Sequence, residues 1–318
     1  MTKVDLITGF LGSGKTTFIK EYARYLVRQD KKVAIIASDY GAINVDRMIL
    51  AEELGDSCHL EMVIGGDADC ARRRLKTKLI AMAMNGYSHV IIEPSGIYDV
   101  DELYDMLYEE PLERWYEMGS VITIVEARIC DSISEAAKYV LLSQVAKAGT
   151  VIVSKLDDSS SIEETKKKTE ELLGFINEGL EEYKCSRKVS KLFVWEKGKI
   201  SDEEFKVISR SGYNSGEMLR KPESFDGSFE SLFFFHVKTE LKNLDQTINS
   251  LFNDKAAGDI IRLKGFIQDE SGEWLEVNAT RDDILINPIS EGQDLFIVIG
   301  ENLSKEIISR YWEDSFTI

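Results

Sequence analysis

A stretch near the start of the chain combines glycines, a lysine and hydroxyl groups at a spacing suited to binding phosphate. Residues 9–16 fit the pattern G-x-x-x-x-G-K-[ST]. The glycines allow the backbone to curl, so that several N–H groups point at a polyphosphate. Lys15 would neutralise the β- and γ-phosphates and take part in hydrolysis, while the Thr16 hydroxyl would ligate Mg²⁺. The predicted nucleotide-binding residues of this loop are Gly12, Ser13, Gly14, Lys15, Thr16 and Thr17.

The sequence on either side of the loop predicts the elements that position it. The mostly apolar run Val4–Thr8 predicts a strand that leads into the loop. Residues Thr17–Arg28 predict a helix that leaves it, because Phe18, Tyr22 and Leu26 recur at helical spacing. The alternative is a glycine-rich turn that contains a lysine by chance, and the strand–loop–helix context argues against it.

A second motif predicts which base is recognised. Residues Ser154, Lys155 and Asp157 match [NST]-K-x-D after the apolar run Thr150–Val153. Asp157 would accept hydrogen bonds from N1–H and the exocyclic amine of guanine, and the stem of Lys155 would lie over the base. Adenine lacks those donors, and an unpaired buried carboxylate costs about 2–3 kcal/mol or more. The alternative is that Asp157 caps the helix that follows.

Two acidic residues follow other predicted strands. Glu93 follows His89–Ile92 and would hold Mg²⁺, with Gly96 close enough for its N–H to reach the γ-phosphate. Asp39 follows the earlier apolar run Val33–Ala37 and would either bind Mg²⁺ or orient the attacking water. Both carboxylates could instead cap turns, so their catalytic and metal-binding roles are hypotheses.

The recurrence of buried strands with helices between them predicts the fold. Continuous apolar runs are typical of strands that helices cover on both faces. The pattern therefore predicts a doubly wound, mainly parallel α/β P-loop domain over residues 1–222. Residues 229–318 have closely spaced strands with turns between them, which predicts a smaller α+β domain with antiparallel pairing. The runs that predict the parallel strands are Val4–Thr8, Val33–Ala37, Leu60–Ile64, His89–Ile92, Val121–Val125 and Thr150–Val153.

Composition excludes several classes of protein. The 318 residues carry a formal net charge of -17, which disfavours contact with nucleic acid or an anionic membrane. No apolar run approaches the length of a membrane span. The four cysteines are scattered and none forms C-x-x-C, so free thiols in a cytoplasmic protein are expected.

In chain order, these motifs resemble those of the CobW-like P-loop GTPases, which are similar to the nickel-insertion GTPases of urease and hydrogenase maturation. The resemblance extends to the carboxyl-terminal stretch Arg262–Phe266 and to Trp274. It implies GTP and Mg²⁺ as ligands, slow hydrolysis, and a switch that serves metal delivery or a metal- or cobalamin-dependent client enzyme. It leaves a homodimer open.

The resemblance fails at one motif. The family usually carries a C-x-C-C metal site, whereas residues 66–70 here contain Asp67, Asp69 and Cys70. Two carboxylates and one thiolate form a harder site than three thiolates and would bind soft metal ions more weakly. The carboxylates could instead cap the next helix while Cys70 packs, or the segment could contact a partner. Residues Arg72–Arg74 lie near the start of the next predicted helix, and we expect them to pair with Asp67 and Asp69.

The motifs together predict a Mg²⁺-dependent GTPase that acts as a metal-handling switch. No residue is an evident arginine finger, so hydrolysis should be slow. One alternative is a nucleotide-sensing module that barely hydrolyses GTP and has lost its metal site. Another is an ATP-using kinase or ATPase.

Overall fold

The computed structural model describes residues 1–39, 50, 54–64, 68–94, 105–131, 133–156, 161–216, 219, 229–237, 241–269, 271–312 and 316–317. It does not describe the side chains at positions 38, 39, 56, 64, 68–71, 131, 316 and 317. The chain forms two compact units, each built around one β-sheet. The domain limits 1–222 and 229–318 remain predictions, because their junction lies outside the described residues.

The first unit contains a seven-stranded sheet in the order β3-β2-β4-β1-β5-β6-β7. Every pair of neighbouring strands in it is parallel, which confirms the predicted α/β class. The short β7 was not predicted, because a two-residue strand has no periodic pattern to detect. The strands are β1 (Thr2–Gly9), β2 (Val33–Asp39), β3 (His59–Ile64), β4 (His89–Glu93), β5 (Tyr116–Glu126), β6 (Thr150–Ser154) and β7 (Phe193–Val194).

Three helices of this unit begin at a serine whose side chain caps the first turn, at Ser134, Ser161 and Ser201. Ser161 with Glu164, and Ser201 with Glu204, form capping boxes, as the S-x-x-E spacing of each pair predicts. Among the helices described, none is both long and apolar enough to cross a membrane. The helices are α1 (Lys15–Arg28), α2 (Ala68–Met84), α3 (Glu135–Lys147), α4 (Ile162–Glu182) and α5 (Asp202–Ile208), with 3₁₀ turns at Gly55–Ser57, Leu112–Arg114 and Ile129–Asp131.

Helix α1 is joined to the sheet by a buried hydrogen-bond cluster. The Tyr22 hydroxyl donates to Oδ2 of Asp5 in β1 at 2.5 Å. Nε2 of His89 in β4 lies 2.5 Å from the same oxygen, and the backbone N–H of Ser120 in β5 donates to Oδ1 at 2.6 Å. Asp5 is fully buried, so these contacts compensate for the removal of its carboxylate from water. The cluster connects α1 to three neighbouring strands.

The second unit is an antiparallel six-stranded sheet in the order β11-β10-β9-β12-β8-β13. Its core is built from side chains such as Phe234, Phe296, Leu244 and Ile248, and the predicted α+β class is confirmed. The sequence pattern predicts a last helix over Ser304–Trp312, and the helix in the structure is shorter, Lys305–Ser309. The elements are β8 (Phe229–Phe235), α6 (Leu241–Asn253), a 3₁₀ turn (Lys255–Ala257), β9 (Asp259–Gln268), β10 (Trp274–Thr280), β11 (Ile284–Ile289), β12 (Leu295–Glu301), α7 (Lys305–Ser309) and β13 (Phe316–Thr317).

The Tyr22 hydroxyl should contribute measurably to stability. Burial, with Asp5 as the second cause, raises the pKa of Tyr22 well above its usual value, so the hydroxyl remains a donor. Tyr22→Phe should lower the free energy of unfolding by about 1.5–3 kcal/mol, since a hydrogen bond to a charged acceptor is lost. Chemical denaturation measures this. Tyr25→Phe on the same helix is the control and should change stability by less than about 0.5 kcal/mol; equal effects would contradict the assignment.

Candidate functional site

The loop between β1 and α1 contains three glycines with positive φ. Gly9, Gly12 and Gly14 adopt φ values of 147°, 77° and 94°, which residues with a Cβ rarely adopt. At Gly9 a Cβ would also lie 2.4 Å from the carbonyl oxygen of Ile124. Helix α1 begins at Lys15, two residues earlier than predicted. Its first N–H groups therefore belong to the loop, where they lack intrahelical acceptors.

Lys15 places a positive charge inside this loop. Its side chain is buried, with 6% of the residue surface exposed. Its ammonium donates to the carbonyl oxygens of Gly9 at 3.0 Å and Phe10 at 3.2 Å. An ammonium held this way can exchange weak carbonyl acceptors for phosphate oxygens, which accept stronger, charge-assisted hydrogen bonds.

Ser13 supplies a further donor at the same place. Its hydroxyl is buried and has no hydrogen-bond partner among the described residues. Such a group costs about 1–3 kcal/mol unless a ligand or water satisfies it. The Ser13 carbonyl oxygen, in contrast, accepts a hydrogen bond from Oγ of Ser154 at 2.7 Å. A phosphate oxygen would provide the acceptor that the Ser13 hydroxyl lacks.

The acidic side of the predicted site lies next to the loop. The Thr16 hydroxyl donates to Oε1 of Glu93 at 3.2 Å, and Glu93 is buried at the end of β4. Because β4 pairs with β1, the two predicted Mg²⁺ ligands meet at one edge of the sheet. Asp39 ends β2, and its strand neighbour Ala37 pairs with Glu93. Hydroxyl and carboxylate oxygens suit a hard cation such as Mg²⁺.

The second motif lies on the opposite side of the loop. Ser154 ends β6, and its hydroxyl is the one that bonds to Ser13. Lys155 follows in the left-handed conformation, with φ of 54°, and its ammonium lies 3.3 Å from Oε2 of Glu126. The motif is therefore joined to the phosphate loop through a side chain as well as through the sheet.

Several predicted residues cannot be placed. Gly96, Asp157 and Asp67 lie outside the described residues, as do the side chains of Asp39, Asp69 and Cys70. Thr17 lies in the first turn of α1, and Gly12 within the loop. The cysteines at 58, 130 and 185 are free thiols, as predicted. Among the described side chains, no cluster of three or more His, Cys, Asp or Glu residues could hold a metal ion.

Arg72 contacts Glu109, a partner that the sequence analysis did not predict. Its guanidinium and the ammonium of Lys76 both contact the carboxylate of Glu109, the latter at 2.8 Å. The hydrogen bond from Lys76 is the largest cause of a lowered pKa at Glu109, and Arg72 adds to it. The predicted pairing with Asp67 and Asp69 lies outside the described residues and stays a prediction.

Sequence reasoning missed one residue that lies next to the loop, Trp195. The ring of Trp195, which follows β7, would lie 3.3 Å from a Cβ on Gly14. Its Nε1–H donates to Oε2 of Glu21 at 3.3 Å. Trp195 belongs to no phosphate-binding pattern, and a long segment of chain separates it from Gly14, so no local pattern predicts that the two are close.

Comparison with known proteins agrees with this geometry. Over 161 residues the chain is 28% identical to the zinc chaperone YeiR of Escherichia coli K12, covering 49% of this chain and 47% of that protein. Over 165 residues it is 23% identical to the zinc-regulated GTPase metalloprotein activator 1 of Schizosaccharomyces pombe, covering 50% and 40%. The chain thus spans about half the length of the curated relatives it matches.

A solved structure, that of the Zn(II)-bound YjiA GTPase from E. coli, aligns with 98% of this chain and 97% of its own, at 16% identity and a TM-score of 0.40. Residues 3–182 match the family described as CobW/HypB/UreG, nucleotide-binding domain. That match covers more than half of the 318 residues and includes the phosphate loop, Glu93 and the Ser154 motif. The chain therefore belongs to the CobW/HypB/UreG family.

Proposed function

We propose that this protein binds GTP with Mg²⁺ and hydrolyses it slowly, as a switch in the handling of a metal ion for a client enzyme. The observation that carries the proposal is the phosphate loop, where the buried Lys15 ammonium lies beside the Thr16–Glu93 pair. A positive group and an oxygen-rich acidic pair at one sheet edge match the two halves of a Mg²⁺–triphosphate complex. Family membership supports the same reading.

Each candidate site residue would have a separate role in hydrolysis. Lys15 and the first N–H groups of α1 would stabilise negative charge as water attacks the γ-phosphorus in line. Thr16 and Glu93 would hold Mg²⁺, directly or through water, and Asp39 would help to hold the ion or orient the attacking water. The ion, when bound, would neutralise charge on the β- and γ-phosphates. Gly96 remains a candidate for a backbone contact to the γ-phosphate.

Guanine recognition rests on Asp157 and on the position of its motif. Ser154 contacts the loop through its hydroxyl, so the start of this motif lies at the sheet edge that carries the phosphate loop. A carboxylate at Asp157 would then select guanine over adenine by hydrogen bonding. This argues against the ATP-using alternative.

Metal handling is supported by the names of two relatives, a zinc chaperone and a zinc-regulated metalloprotein activator. Asp67, Asp69 and Cys70 are the candidate ligands. Their chemistry favours a weaker, harder site than three thiolates would give. The client would be a metal- or cobalamin-dependent enzyme in the cytoplasm. A nucleotide sensor without metal is the competing function, and metal analysis of the GTP-bound protein separates the two.

Removal of the loop ammonium should abolish most nucleotide binding. Lys15→Ala should weaken GTP binding by about 10- to 100-fold, because charge-assisted hydrogen bonds contribute about 1.5–3 kcal/mol. Calorimetric titration with GTP and Mg²⁺ measures this. Lys147→Ala is a matched control, since Lys147 is also buried and donates to a backbone carbonyl, that of Gly216. Unchanged GTP binding and hydrolysis in Lys15→Ala would refute the assignment.

Base recognition can be tested by changing one acceptor to a donor. Asp157→Asn should weaken GTP binding by about 30- to 150-fold and favour xanthosine triphosphate, because the amide donates where xanthine has a carbonyl. Competition binding measures both ligands. Asp158→Asn removes the same charge one residue later and should leave the preference unchanged. A wild-type preference for ATP would contradict the guanine assignment.

The altered metal segment makes a separate prediction. Cys70→Ala should remove most zinc or cobalt affinity, since it deletes the one thiolate among the three candidate ligands. Equilibrium dialysis of the GTP-bound protein measures the stoichiometry. Cys130→Ala, at another free thiol, is the control and should retain the metal. Tight zinc binding that survives Cys70→Ala would show that the metal is held elsewhere.

A further inference from the structure

The indole of Trp195 lies against the phosphate loop. Only 6% of the residue surface is exposed, and atom Cζ3 of the ring would lie 3.3 Å from a Cβ on Gly14. Gly14 has φ of 94° and precedes Lys15 directly. The ring of Trp195 therefore borders the space where a side chain at Gly14 would lie, and Gly14 is the residue directly before α1.

Three contacts fix the position of this ring. The backbone N–H of Trp195 donates to the carbonyl oxygen of Val153 at 2.9 Å, which joins it to β6. Its Nε1–H donates to Glu21 at 3.3 Å, and its ring packs edge-on against Phe18 with centroids 5.4 Å apart. Both Glu21 and Phe18 lie on α1. The indole is thus held between the strand that carries the Ser154 motif and the helix that follows the loop.

The turn after Trp195 is joined to the same helix. The second carboxylate oxygen of Glu21 accepts a hydrogen bond from the N–H of Gly198 at 2.8 Å. On the other side, Ser154 bonds to the carbonyl of Ser13 at 2.7 Å. Two consecutive loop residues, Ser13 and Gly14, are therefore restrained by the segment formed by β6 and the residues after β7.

The restraint matters because the restrained residue, Gly14, is a glycine. A glycine populates positive and negative φ with similar ease, so Gly14 does not hold its own conformation. A loop that samples several conformations pays an ordering cost when a ligand binds, and a neighbour that limits those conformations reduces the cost. The rigid indole beside Gly14 is placed to do this.

We propose that Trp195 is a positioning residue for the phosphate loop, which holds Gly14 in its left-handed conformation and whose indole responds when a triphosphate binds. The inference rests on the proposed function, because it assumes that the loop binds GTP. It adds a residue outside the phosphate-binding pattern to the determinants of affinity. It also gives the protein an internal optical reporter of nucleotide binding.

Affinity provides the first test. Trp195→Leu should weaken GTP binding by about tenfold through loss of preorganisation. Phe205→Leu is the matched control, because Phe205 is buried in the same aromatic cluster, packing on Phe18 and Tyr22. It should leave GTP affinity within about twofold, although it too creates a cavity. Both variants are measured at a temperature where circular dichroism shows them folded.

Fluorescence provides the second test and uses a milder substitution. The chain has four tryptophans. GTP should change the emission of the wild type and of Trp115→Phe, a control in the residue just before β5. The change should disappear in Trp195→Phe, while calorimetry still detects binding in that variant.

The outcomes separate the two hypotheses. If the wild type binds no GTP, the proposed function fails and this inference fails with it. If the wild type binds GTP but Trp195→Leu binds within twofold of it, or Trp195→Phe keeps the full emission change, only the role of Trp195 is overturned.

Discussion

The parallel direction of seven strands determines where everything else in the first unit must lie. Parallel strands bring their carboxyl ends to one edge of the sheet, and here β1, β4 and β6 end at Gly9, Glu93 and Ser154. The phosphate loop, an acidic side chain and Ser154 therefore lie at the same edge although the chain separates them widely. An antiparallel arrangement would place alternate ends on opposite edges and disperse the same residues.

Buried charge is the second organising feature. Lys15 and Glu93 are both buried close to the loop, in a chain whose formal net charge is -17. Such groups are costly to remove from water, and their positions make energetic sense when a polyphosphate and a cation share the edge with them. The acidic surface as a whole would repel a triphosphate, so affinity must come from contacts made at short range.

The sequence was most informative where function depends on local pattern. The G-x-x-x-x-G-K-T spacing, the capping boxes at Ser161 and Ser201, and the apolar runs of the parallel strands each involve residues close in the chain. The approach of Trp195 to Gly14 and of Tyr22 to Asp5 depends on tertiary packing, which no local pattern encodes. The structure leaves Asp157 and the Asp67–Cys70 segment as predictions, so the base and the metal rest on motif chemistry alone.

The buried carboxylate of Asp5 limits the substitutions that the chain can accept. A Cβ on Gly119 would lie 2.0 Å from Oδ1 of Asp5. Three hydrogen bonds hold the Asp5 carboxylate in place, one at Oδ1 and two at Oδ2. No side chain can be added at position 119 while Asp5 keeps its place. A shorter side chain at position 5 would leave three hydrogen-bond donors without their acceptor. As related sequences diverge, these two positions should change together or stay as they are, although neither belongs to the phosphate-binding pattern. Selection on this pair would act through the stability of the sheet and not through ligand binding.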